Sequence, residues 1–157
     1  MEMYELSTQI YHQASKEFQA GNTQEGTRWA ELGAKLAHTI SFAGQTESVG
    51  AGILGASQEI EHLELLSEHG VETSQFFTES IDELLQASQS DLNQIVNSAN
   101  QIMEMLGTVG KEKAWEFFER GKLLGDYKAI EWLQTEANAT TNGPNDISGK
   151  SIVKPPQ

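Results

Sequence analysis

The stretch Thr73–Leu106, TSQFFTESIDELLQASQSDLNQIVNSANQIMEML, decides the fold class. Phe77, Ile81, Leu84, Ser88, Leu92, Ile95, Ala99, Ile102 and Leu106 recur at steps of three or four residues, the period of one helix face. Phe76, Leu85, Val96 and Met103 widen that stripe into a bundle-type face rather than a narrow two-stranded seam. Read as one helix it spans about 50 Å at 1.5 Å per residue. Gln86–Asp91 is polar, and Ser90 or Asp91 can cap a restart, so a kink is expected there.

Helical periodicity continues on both sides. Leu6, Ile10, Ala14 and Phe18 repeat every four residues in a first helix, which Gly21-Asn22 ends. Thr23 caps a second helix that reaches about Ala43, with Trp29, Leu32, Leu36 and Ile40 on one face. Gly26, Ala30, Gly33 and Ala37 form another stripe, small enough for close backbone approach by a neighbour. A polar break at Gly44–Ser48 precedes a third helix, which carries Ile53, Leu54, Ile60, Leu63 and Leu66 and ends near Gly70. A fifth helix from Lys111 and a sixth from Tyr127 to about Asn138, presenting Ile130 and Leu133 inward, complete the series.

No stretch alternates as a strand. The expectation is an all-α fold, a single bundle of five to six helices built from antiparallel hairpins over residues 1–138. A flexible or extended tail follows over 139–157. Ala14-x3-Phe18-x2-Gly21 and Ala114-x3-Phe118-x2-Gly121 share a spacing, and Gly125–Trp132 resembles the inter-helix turn of a tetratricopeptide hairpin. The 34-residue period of that repeat is not sustained, so the spacing reads as helical hairpins rather than as an array.

Charge is distributed unevenly. Of 157 residues, 23 are acidic and 10 are Lys or Arg, for a net charge of −13. Residues 36–110 carry eleven acids and no Lys or Arg, so His38, His62 and His69 are the only side chains there that can become cationic. Such a segment repels phosphate, which argues against direct nucleic-acid binding and against an anionic membrane surface. It attracts a basic protein partner.

Several motifs fail on context. Gly50-x-Gly52-x-x-Gly55 spells a dinucleotide fingerprint, but no strand leads into it. Gly149-Lys150-Ser151 lacks a glycine at the phosphate-loop spacing and a following helix. Glu59-x-x-His62 is half of a carboxylate di-iron motif and has no second copy. Glu59, His62 and His69 fall near one helix face, where one divalent ion is geometrically conceivable. No catalytic residue, metal or cofactor is expected. There is no cysteine and no nucleophile elbow, and nothing singles out one carboxylate pair among so many.

The sharpest candidate is the partner-binding cluster Glu59, Glu61, Glu64, Glu68 and Glu72. Glu61, Glu64, Glu68 and Glu72 step by three, four and four, and no Lys or Arg lies at helical spacing to pair with them. The reading is a non-enzymatic interaction module docking a basic partner through an acidic helical face, in the manner of an immunity protein, chaperone or adaptor. The alternatives are an amphipathic structural protein that self-assembles or coats an apolar surface, and an enzyme with a carboxylate–histidine metal site. With no signal peptide and no apolar run long enough to span a bilayer, the expected location is cytoplasmic; leaderless export leaves no mark in a sequence.

Overall fold

A computed structural model describes residues 2–47 and 49–143, with the side chains of Glu2 and of 42–47 left undescribed. It holds six helices: α1 Glu2–Gln19, α2 Thr23–Glu47, α3 Val49–Glu68, α4 Ile81–Val109, α5 Lys111–Leu124 and α6 Asp126–Asn142. No strand occurs among the described residues, and one isolated bridge joins Thr73 to Ser80. The protein is all-α, as its periodicity requires. No helix among the described residues is long and apolar enough to cross a membrane. Ser48 and the region beyond Gly143, including Gly149-Lys150-Ser151, lie outside the described residues.

The chain divides into two compact units, Met1–Asn97 and Ser98–Gln157, and α4 contributes to both. In the first unit α2 packs on α1 and α3. The small stripe of α2 makes this possible. Gly26, Ala30, Gly33 and Ala37 are all buried, and a Cβ on Gly55 of α3 would fall 2.3 Å from the Ser41 backbone nitrogen. The helices touch backbone to backbone. Gly55 therefore serves a helix contact, and Gly50, Gly52 and Gly55 all lie within α3, which follows a helix and not a strand.

The core of this unit joins Ala14, Phe18, Ala30, Ala34, Leu63 and Leu66 to Ile81 and Leu84 from the start of α4. Full burial of each Leu or Ile contributes about 1.5–3 kcal/mol. The apolar stripes are buried only in part: Leu6, Leu32 and Leu54 are exposed, while Ser7, Gln58, Glu59 and His62 are buried. Gly21, at φ +82°, ends α1 with its N–H on the Phe18 carbonyl.

Four boundaries and one expected kink differ from the periodic reading. The break after Ala43 is absent, and helix continues to Glu47. The third helix stops at Glu68. The long helix starts at Ile81 rather than Thr73, because Ser80 and Glu83 cap each other. The Glu83 carboxylate accepts from the Ser80 N–H (2.9 Å) and hydroxyl (2.9 Å), and the Ser80 Oγ accepts from the Glu83 N–H (3.2 Å). Last, α4 runs through Gln86–Asp91 without interruption, and α6 extends to Asn142.

In the second unit, Gly125 (φ +88°) separates α5 from α6. Ala129, Leu133 and Ala137 are buried, Ile130 is half-buried, and Lys113 pairs with Glu136. The Arg120 guanidinium lies 4.5 Å from the Trp132 ring. None of the α5 residues is buried, and Trp115, Phe118, Leu123 and Leu124 are exposed.

Candidate interaction surface

Helix α3 sorts its carboxylates by angle. Successive residues turn by about 100°, so Glu59 and Glu61 point about 200° apart. Glu61, Glu64 and Glu68 are exposed, and none meets a Lys, Arg or His within ion-pair distance among the described residues. Glu72 is also exposed but lies beyond the helix end, where its carbonyl accepts the Ile81 N–H at 2.8 Å. It does not extend the α3 face.

Glu59 points inward and is 4% exposed. His38 Nδ1–H donates to its Oε1 at 2.9 Å, and the Ser88 hydroxyl also hydrogen-bonds its carboxylate. Burial raises the Glu59 pKa; His38 and Ser88 oppose that rise, and Asp91 adds to it. The buried acid is thus held by one helix on each side, α2 through His38 and α4 through Ser88.

The other two histidines of the base-free segment are likewise occupied internally. His62 is buried and shares a 3.1 Å hydrogen bond between its Nε2 and the Ser7 hydroxyl, with Tyr11 edge-on at 5.6 Å. Its Nδ1 has no partner among the described residues. Burial lowers its pKa to about 4, against the opposing contact with Ser7. His69 Nδ1–H donates to the Leu65 carbonyl at 2.9 Å, and its ring stacks on Phe18 at 3.8 Å.

Glu59, His62 and His69 therefore face three different sets of partners and do not converge. No group of three or more potential ligands gathers among the described residues. None of the three histidines neutralises the outer face of α3.

One feature escaped the sequence reading. Tyr4, Thr8 and Tyr11 fall at i, i+4 and i+7 on α1, and Leu54, Gln58 and Glu61 fall at i, i+4 and i+7 on α3. The two stripes border a cleft of about 360 Å³. Gln58 Nε2 crosses between them, donating to Thr8 Oγ1 (3.1 Å) and to the Tyr4 carbonyl (3.3 Å). The helical spacing was legible, but nothing in it says which two stripes meet. Compared with known protein families, curated proteins and solved structures, the chain matches none.

Proposed function

We propose that this chain is a non-enzymatic interaction protein that docks a basic protein partner through the outer face of α3. The carrying observation is that Glu61, Glu64 and Glu68 are exposed, with no ion-pair partner among the described residues, on one face of a helix whose other side is built into a core. Their mutual repulsion costs a few tenths of a kcal/mol per pair. A basic surface would remove that cost and gain steering from the segment 36–110, which carries no Lys or Arg. Immunity-, chaperone- and adaptor-like roles all use this chemistry.

The test is affinity capture at low and high salt with the full chain and with Glu61→Lys/Glu64→Lys/Glu68→Lys, helicity being followed by circular dichroism. Salt-sensitive capture that the triple variant abolishes, with helicity unchanged, supports the reading. Capture that survives the triple variant removes it.

A second reading, self-assembly or coating of an apolar surface, has its own support in α5. Trp115 is 62% and Leu123 81% exposed on a helix that buries nothing. Sedimentation over a range of protein concentrations separates the two readings. Oligomers that grow with concentration and vanish in Trp115→Ser/Leu123→Ser favour the second.

A further inference from the structure

We infer that the cleft between α1 and α3 receives a single arginine side chain of the basic partner, with Glu61 as its counter-ion and Tyr4 and Tyr11 as its aromatic walls. The inference deepens the docking proposal and rests on it.

The cleft offers acceptors and aromatic faces. Thr8 Oγ1–H donates to the Tyr4 carbonyl at 3.1 Å, so that hydroxyl proton is already used. Both amide protons of Gln58 are used as well, on Thr8 and on Tyr4. What remains of Gln58, a side chain only 5% exposed, is a carbonyl oxygen with no donor among the described residues. A buried acceptor without a donor costs about 1–3 kcal/mol, which a bound donor would recover once the Gln58 side chain turns its enclosed oxygen toward the cleft. Glu61 adds a carboxylate with no ion-pair partner among the described residues, and among them no Lys or Arg lines the cleft, whose one basic residue is His12.

Complementarity to this set selects a cation rich in donors. A guanidinium is planar, so it can lie against a tyrosine ring while its N–H groups reach a carboxylate and an amide oxygen. An anion would meet the Glu61 carboxylate and the π faces, with only the His12 ring and the Ser57 hydroxyl to offer it donors. A purely apolar side chain would leave both acceptors unmatched. The position also fits docking: Glu61 is both the edge of the cleft and the first member of the exposed row Glu61, Glu64 and Glu68. An arginine seated here would place neighbouring bases of the same partner along the remaining two carboxylates.

The test uses the full-length ¹⁵N-labelled chain titrated with acetyl-arginine amide and with acetyl-citrulline amide, its uncharged isostere. Hexa-arginine peptide serves as the third probe. The expected result is amide shifts confined to Tyr4, Thr8, Leu54, Gln58, Glu61 and their neighbours, with citrulline binding at least about tenfold more weakly. Glu61→Gln and Tyr4→Ala should each weaken acetyl-arginine amide by about tenfold, while Glu104→Gln, at an exposed residue of α4, leaves it unchanged. Spectra of the free variants verify that the fold is retained.

Equal shifts with citrulline, or shifts spread along Glu64 and Glu68 rather than at the cleft, overturn the arginine site. If hexa-arginine binds with salt dependence while acetyl-arginine amide leaves the cleft untouched at millimolar concentration, docking stands and the cleft falls. If neither probe binds, both fall.

Discussion

Gly33 lies directly against the imidazole of His62: a Cβ built on residue 33 would sit 2.1 Å from His62 Cε1 and 2.4 Å from each ring nitrogen. The ring therefore fills the place a side chain would take on α2. That contact lets α2 and α3 close around a polar group, and it makes the identity of both residues consequential.

Gly33→Ala should destabilise the first unit by about 2–4 kcal/mol, since the buried ring has to move and its bond to Ser7 goes with it. Gly107→Ala is the control. Nothing lies within 4 Å of a Cβ there, and the site is inside α4, so the change should stabilise by about 0.5–1 kcal/mol. Urea midpoints of the two variants give opposite signs if this packing is right.

The His62 pKa is lowered from 6.5 to about 4 by burial, so the unfolded chain binds the extra proton over that interval. Its contribution to stability is intact above about pH 6.5, falls as the pH drops toward 4, and reaches a loss of roughly 3 kcal/mol. Glu59 acts in the opposite direction: its raised pKa gives stability that is present at low pH and lost as the pH rises through the folded value. Comparing stability against pH for the native chain and His62→Gln isolates the histidine. A slope between pH 4 and 6.5 that the substitution leaves unchanged refutes this assignment.

Ser80→Ala should cost about 1 kcal/mol by removing the reciprocal cap of α4. Glu83→Ala should cost a similar amount, and the double variant less than their sum, because both remove one arrangement. Strict additivity in a double-mutant cycle would show that the two residues do not act together.

Leu63→Ala empties a fully buried position and should destabilise by about 2–5 kcal/mol. Leu123→Ala, at a residue 81% exposed, should stay within about 0.5 kcal/mol of the native value. Thermal unfolding of the pair measures how unevenly the two apolar residues are used.

The helix class and most helices were readable from spacing, because burying one face imposes a period of three to four on any helix. The start of α4 misled that reading for a definable reason. Phe77 continues the steps of Ile81 and Leu84, yet it reaches the core from the connecting segment, with Lys35 Nζ 5.4 Å from its ring and His38 edge-on at 6.2 Å. Burial alone does not require helix. The local signal that does mark the start, Ser80-x-x-Glu83, lies inside the periodic run.

The expected kink at Gln86–Asp91 failed for a related reason. The run is polar, but Ser88, which sits on the periodic stripe, is buried and bonded to Glu59, so a partner on another helix satisfies it and the helix continues. The same bond removes Glu59 from the acidic cluster. Separation from Glu61 by two residues marks the two as facing apart; spacing alone does not reveal which of them faces in.

The amino-acid order by itself settled the helical class, the small stripe of α2 and the segment 36–110 with eleven acids and no Lys or Arg, since each follows from local spacing and composition. Tertiary packing alone decided that Glu59, His62 and Gln58 turn inward, that Glu61, Glu64 and Glu68 stay outside with no ion-pair partner among the described residues, and that a cleft opens between α1 and α3. A helix fixes the angles among its own side chains. Which of those angles is buried depends on how its neighbours approach, here set by Gly55, which lets the α2 and α3 backbones come close, and by Gly33, which leaves room for the His62 ring.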